Sequence, residues 1–254
     1  MIPVRSSKNY RLSKASNGAI PVRGLKNYRW DKTSNGAIPV VKKRPSVLIT
    51  AGPTRERIDP VRFISNYSTG TFGYELAGEA VKRGARVTLV SGPTYLEAPQ
   101  GVKFIGVESA VEMRRAVLSE LKKADYVIMS AAVSDWRPKK ASPRKIKRSF
   151  GKTTLKLVEN PDILSEICMR KAGRVVAGFA LETENLEKNA LKKLLGKNAD
   201  IIVANSLSRR SPAFGENDSN ILIIDRLGNK IRVHNRSKRE LANIILDKIL
   251  SFNI

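Results

Sequence analysis

Histidine and cysteine each occur once in 254 residues, as His234 and Cys168. A lone thiol cannot form an internal disulfide, so a reducing compartment is the simplest expectation. Most zinc sites draw on several Cys and His side chains, and a Ser-His-Asp triad needs a histidine beside its serine. One histidine in a hairpin pattern and one thiol inside an apolar helical pattern disfavour both chemistries. Long apolar runs are missing too. The longest, Val175 to Leu181, falls far short of the roughly 20 residues of a membrane helix, and the N-terminus lacks the apolar stretch of a secretory signal. Acid is scarce, with 23 Asp and Glu against 47 Lys and Arg, a net charge of +24. With 41% apolar residues and only 17 Gly and 12 Pro, the chain is neither collagenous nor wholly disordered. A globular, cytoplasmic protein with a real core is expected.

The positive charge is unevenly spread. Residues 1–44 hold eleven basic residues against one acid, Asp31, and the remaining 210 hold 36 against 22. The first stretch is an internal repeat: Ile2 to Ala19 and Ile20 to Ala37 match at 13 of 18 positions, and Ile38-Pro39-Val40 starts a third copy. That period fits no common solenoid, and two copies are too few to stack into a core. Ser-Asn-Gly turns, Pro and scattered aromatics favour an extended tail. Either it has no specific partner, or Tyr10, Tyr28 and Trp30 stack on nucleic-acid bases beside the basic residues.

From Pro45 onward strand and helix signals alternate. Val47–Ala51, Arg86–Val90, Val102–Val107 and Tyr126–Ser130 read as strands, with a helix from Phe72 to Arg83 and another opened by a Ser109/Glu112 capping box. Leu155–Val158 looks extended, and Asn160-Pro161 suits the N-cap and first position of a helix reaching about Lys171. Arg174–Phe179 and Asp200–Ala204 are strands around a lysine-rich helix, Glu184–Lys197. Ile221–Ile224 and Ile231–His234 form a hairpin, and a Ser237/Glu240 box opens the last helix. The pattern predicts an α/β fold: a Rossmann-like, doubly wound, mainly parallel sheet with an appended β-hairpin. Ligands bind such sheets at the carboxyl ends of strands.

Three strand ends carry candidate chemistry. After the first strand, Ser68, Thr69, Gly70 and Gly73 precede a helix whose free amides and dipole suit a phosphate or carboxylate; a structural turn explains the glycines equally well. After the fourth, Ser130-Ala-Ala-Val-Ser-Asp135 leads into seven basic residues between Arg137 and Arg148 with no acid among them. That run is a solvated loop, a nucleic-acid patch, or a flap closing on a polyphosphate with Asp135 holding the accompanying Mg²⁺. After Gly178-Phe179, Lys193 and Lys197 share a helix face, as a solvated pair or as anion ligands.

In order, the segments TAGPTRERIDPVRFISNYSTGTFG, SGP, AAVSDWRP, KIKR, ENPDIL, GFALET, KNADIIVAN and SKRELANIILDKIL resemble the phosphopantothenoylcysteine synthetases, the phosphopantothenate–cysteine ligases of coenzyme A synthesis. The resemblance covers about residues 46–252. It implies joining of 4′-phosphopantothenate to L-cysteine through an acyl-cytidylate formed from CTP, with release of pyrophosphate and CMP; relatives that use ATP keep that nucleotide as the alternative. In many bacteria the ligase is one half of a flavoprotein. Since only the repeat tail precedes Pro45, a stand-alone synthetase without FMN is expected.

By motif match, Lys145 corresponds to the lysine needed for acyl-nucleotidylate formation and Asn66 to the asparagine that handles that intermediate. Met129, Ser130, Ala131 and Asp135 match the nucleotide-binding strand end. Pro161, Asp162, Ile163, Leu164, Phe179, Lys193 and Lys197 match further nucleotide contacts. Arg148 departs from the family's lysine, keeping the charge but changing its geometry. The resemblance also implies Mg²⁺, a homodimer, no membrane, and nucleic acid only through the tail. A basic RNA-binding protein is the competing class. A dinucleotide-binding Rossmann domain lacks its glycine fingerprint here.

Overall fold

A computed structural model describes residues 44–148, 153–206 and 219–252. The repeat tail, Arg44 apart, lies outside the described residues, as does Phe150 at the end of the basic run. The elements are β1 (Ser46–Ala51), β2 (Arg55–Asp59), β3 (Arg62–Ser65), α1 (Thr71–Lys82), β4 (Arg86–Ser91), β5 (Lys103–Gly106), α2 (Ala110–Leu121), β6 (Tyr126–Met129), β7 (Trp136–Pro138), β8 (Leu157–Glu159), α3 (Ile163–Met169), β9 (Val175–Glu182), α4 (Leu186–Lys197), β10 (Ile201–Ser206), β11 (Ser219–Asp225), β12 (Lys230–Arg236) and α5 (Lys238–Leu250).

Eight strands make one sheet in the order β12-β11-β10-β9-β6-β1-β4-β5. The six from β10 to β5 run parallel, and β11 and β12 add an antiparallel edge. All six residues of β1 are buried, as a central parallel strand covered on both faces requires. Its alternation divides the core. Val47, Ile49 and Ala51 join Leu76, Ala77 and Ala80 of α1 and Leu241, Ile245 and Ile249 of α5. Leu48 joins Met113 and Val117 of α2, Ile163 and Ile167 of α3, and Ala190 and Leu194 of α4. Full burial of each such side chain contributes roughly 1.5–3 kcal/mol. Arg83 ties the first helix layer together, donating to Asp247 (2.7 Å) and to Asn243 Oδ1 (2.9 Å). The exposed edge strand β12 carries Lys230, Arg232 and Arg236, charges that discourage pairing with a further strand.

The expected α/β class and parallel order are present, with local differences. The β2–β3 and β7–β8 ribbons lie outside the main sheet and were not expected as pairs. Helix α3 starts later than the Asn160-Pro161 signal suggests. Asn160 closes the β7–β8 ribbon, donating to the Ser134 carbonyl (2.8 Å) and accepting from Arg137 (3.1 Å), so Asp162 caps the helix by accepting from the Ser165 amide (3.0 Å). At α2 Ser109 accepts from the Glu112 amide (3.3 Å), but the Glu112 carboxylate takes the Glu108 amide (2.8 Å), one residue beyond a reciprocal box. The Ser237/Glu240 box at α5 is complete.

Candidate active site

The chain passes from β1 outward to β4 and β5, then returns to the other side of β1 with β6. The gap past the carboxyl ends of β1 and β6 is therefore a topological switch point, where open α/β sheets bind ligands. Both strands continue toward each other there: Pro53 and Ala132 form a parallel bridge, and the Ala132 amide donates to the Gly52 carbonyl (2.9 Å). Two buried threonines fix this floor. Thr50 accepts at Oγ1 from the Ala131 amide (3.2 Å) and at its carbonyl from Ser130 Oγ (2.5 Å). Thr54, wholly buried, accepts at Oγ1 from the Ser134 amide (3.0 Å). Ser130 through its hydroxyl and Ala131 through its amide are thus tied to Thr50, beside Met129 at the end of β6.

Asn66 joins the same floor. Its Nδ2 donates to the Ala132 carbonyl (2.9 Å), which also accepts the Thr54 amide (3.2 Å). One amide hydrogen and the side-chain oxygen remain for a ligand, and the residue is exposed. Ser68, Thr69 and Gly70 lead from Asn66 into α1. Gly70 caps that helix in the left-handed region (φ 84°) without a side-chain bond to its amides. Gly73 lets the first turn touch β1: a Cβ there would lie 2.4 Å from Ala51 Cβ and 2.9 Å from Ser130 Oγ. Its glycine is a packing requirement, and its consequence is a helix N-terminus held against the strand end.

A second group gathers on the β9 side. Lys193 Nζ donates to the Phe179 carbonyl (2.7 Å), Lys197 pairs with Asp162, and Phe179 meets the Phe72 ring edge-on at 5.6 Å. Leu164 packs against Gly178, where a Cβ would come within 2.7 Å of it. Burial holds Lys193 below the usual lysine range. Burial works against the Asp162 carboxylate, but Lys197 and the Ser165 amide and hydroxyl outweigh it and hold its pKa below the ordinary value. Pro161 to Leu164 lie beside Asp135 because the Asn160 amide donates to the Asp135 carbonyl (2.8 Å). The Asp135 side chain itself is exposed.

Lys145 stands apart. Among the described residues it makes no hydrogen bond or ion pair, and the structure does not bring its side chain onto the floor. Its neighbour Ile146 is held instead by Asp59 and Arg62 of the β2–β3 hairpin. Those two residues, with Thr50 and Thr54, are the ones sequence reasoning missed. The Asp59-Pro60 dipeptide is the turn signal that could have found the hairpin, since Asp59 accepts the Val61 and Arg62 amides as an Asx turn does.

Nucleophilic chemistry from the protein finds no support in Cys168, which burial pushes up to about 11. Among the described residues no cluster of three or more His, Cys, Asp or Glu side chains is arranged to hold a metal ion. A cation at Asp135 would have one carboxylate and would take its other ligands from a substrate, the usual manner of Mg²⁺ with phosphates. No described helix is long and apolar enough to cross a membrane.

The family model described as the DNA/pantothenate metabolism flavoprotein C-terminal domain matches residues 42–252. The chain belongs to this family. It is 45% identical over 208 residues to the coenzyme A biosynthesis bifunctional protein CoaBC of Bacillus subtilis, covering 82% of this chain and 51% of that protein. It is 44% identical over 207 residues to a cysteine/cysteine sulfinic acid decarboxylase of an unknown prokaryote, covering 81% of this chain and 58% of that one. The chain thus spans about half the length of the curated relatives it matches. The crystal structure of the CoaBC C-terminal domain shares its fold with a TM-score of 0.70 at 40% identity, covering 81% of this chain and 94% of that one. The family's fold, a large, mostly parallel sheet with helices on both faces, is the one described above.

Proposed function

We propose that this chain is the ligase that joins 4′-phosphopantothenate to L-cysteine, with CTP as activating nucleotide. The observation that carries the reading is the switch point itself. It offers a helix N-terminus, two lysines from α4, the exposed Asp135 carboxylate and a strand-end floor tied together by its own hydrogen bonds, and the buried Cys168 thiol lies within α3. Such a site suits a reaction between bound substrates in which the protein positions groups and neutralises charge.

In this reading the phosphopantothenate carboxylate attacks the α-phosphorus of CTP and pyrophosphate leaves, giving an acyl-cytidylate. The cysteine amine then attacks the acyl carbon and CMP leaves. Met129, Ser130 and Ala131 present backbone groups to the nucleotide, Phe179 walls its base, and Pro161 to Leu164 complete that side. Lys193 and Lys197 face the phosphates, and Lys145 reaches them from the basic loop. The α1 amides around Ser68, Thr69, Gly70 and Gly73 hold a phosphate or the acyl region. Asn66 donates its remaining amide hydrogen to the acyl oxygen as the amine attacks. Asp135 would hold Mg²⁺, which supplies charge neutralisation on the triphosphate. We expect a homodimer.

The test mixes purified protein with phosphopantothenate, Mg²⁺ and either CTP or ATP, and follows pyrophosphate before and after cysteine is added. Release with CTP, and amide product only with cysteine, is expected. Faster release with ATP would reassign the nucleotide, and no release with either would remove the ligase reading.

A further inference from the structure

The Asp59 carboxylate is fully buried within the chain and collects donors from two separate segments. Oδ1 accepts the Val61 amide (2.9 Å) and the Arg62 amide (3.0 Å), which is all a tight turn needs. Oδ2 accepts Arg62 Nε (2.9 Å), pairs with Arg62 Nη2, and accepts the Ile146 amide (3.1 Å) from 87 residues away. Arg62 Nη2 in turn donates to the Ile146 carbonyl (2.8 Å). Both backbone groups of one loop residue are therefore taken by one acid–base pair, and that residue stands between Lys145 and Lys147.

The hairpin that carries the pair is itself anchored. Glu56 accepts the Ala110 amide at 2.9 Å, the Arg55 amide donates to the Glu108 carbonyl at 2.7 Å, and Arg57 grips the Glu108 carboxylate at 2.5–2.9 Å. At the hairpin's loop side, the Ser142 amide donates to the Ile58 carbonyl (2.9 Å). The loop has little else. Among the described residues its other bonds are that of the Lys139 amide to the Lys156 carbonyl (2.9 Å), just ahead of β8, and the internal Ser142–Arg144 turn, while its like charges repel one another with no acid among them.

We propose that Asp59 is a positioning residue for the proposed ligation: by holding Ile146 directly and through Arg62, it fixes the backbone from which Lys145 and Lys147 are presented to the nucleotide. The role in ligation rests on the reading above; the clamp on the loop does not. Asp59 touches no substrate in this account. Its effect passes through the loop.

Limited trypsin digestion of the full chain reads the clamp, because cleavage of a native segment follows the population of its open form. Asp59→Asn keeps the size and the turn acceptor but replaces Oδ2 by an amino group that cannot accept. Cleavage between Arg144 and Arg148 should quicken about tenfold, the scale of one lost charged hydrogen bond, while cleavage elsewhere keeps its rate. Arg62→Lys is the second variant, since it loses the Nε bond to Asp59 and the planar fork that holds Nη2 between Asp59 and the Ile146 carbonyl. In pyrophosphate release, Asp59→Asn should lower kcat about tenfold and leave the KM for cysteine unchanged. Unchanged loop cleavage in both variants, or equal acceleration along the whole chain in both, overturns the proposal. If the wild-type protein releases no pyrophosphate, the ligase reading fails while the digestion still decides the clamp.

Discussion

On the floor of the switch point Thr50 and Thr54 are wholly buried, and Ser130, Ala131, Ala132 and Ser134 are each bonded to the neighbouring strand end. In the basic loop from Lys139 to Arg148 every residue except Ser142 is exposed, and the backbone is pinned at a few points. In the proposed ligation the two regions would meet different physical demands. A site that must place an acyl carbon beside an attacking amine benefits from dipoles that need no reorganisation. Neutralising a triphosphate needs charge delivered close to the anion, and six like charges packed rigidly together would be costly before the anion arrives. Cations on an exposed backbone pinned at a few points avoid that cost. Precision therefore belongs to the floor and charge to the loop.

The sharpest test of the loop's share is Lys145→Gln. The substitution leaves the fold untouched, because Lys145 has no partner among the described residues, so the thermal midpoint should stay put. Pyrophosphate release should fall by at least about a hundredfold, as when an electrostatic group is removed from a transition state. Near-normal release would mean that the loop is only solvated surface.

The floor answers to Gly73→Ala. The new methyl would enter space held by Ala51 Cβ at 2.4 Å, so α1 must lift from β1. Overpacking of this kind costs about 1–3 kcal/mol, measurable by denaturant unfolding, and nucleotide binding should weaken with it. Full stability and binding would show that the helix start is not held as tightly as the contact implies.

Asn66→Asp separates the two half-reactions. Aspartate cannot donate to the Ala132 carbonyl or to an acyl oxygen, yet the nucleotide contacts stay in place. Pyrophosphate release without cysteine should hold within about twofold while amide formation drops about tenfold. Equal loss in both steps would move Asn66 from handling the intermediate to building the site.

Much of this organisation was legible in the sequence because the signals were local. Glycine-punctuated apolar strands marked β1 and β4, an apolar run from Tyr126 marked β6, the Ser237/Glu240 pair marked α5, and the lysine spacing on α4 placed Lys193 and Lys197 together. The floor's polar pairs were not legible, since Thr50 with Ala131 and Thr54 with Ser134 join residues about 80 apart and carry no periodic trace. The Asp59–Ile146 contact was hidden in the same way. Asn160 shows a local rule overridden: Asn-Pro suits a helix start, but its side chain had a stronger engagement across the ribbon with Ser134 and Arg137.

The smallest expected effect tests whether the β9 side belongs with the rigid floor or with the charged loop. Asp162→Asn keeps the α3 cap, because asparagine caps about as well as aspartate, and removes only the charge facing Lys197. Both side chains are partly exposed, so the stability change should stay within about 1 kcal/mol. The acid limb gives the sign. A carboxylate held below its ordinary value of 3.8 contributes stability that is complete above that pH and lost as the pH falls through the folded value. Thermal midpoints followed from pH 6 to about pH 2 should therefore converge for wild type and variant at the acid end. A gap that persists there would mean that packing, not charge, is what Asp162 supplies. If the gap closes while the variant's KM for CTP shifts, the Asp162–Lys197 pair acts as a charge reserve for the nucleotide, more akin to the loop than to the floor.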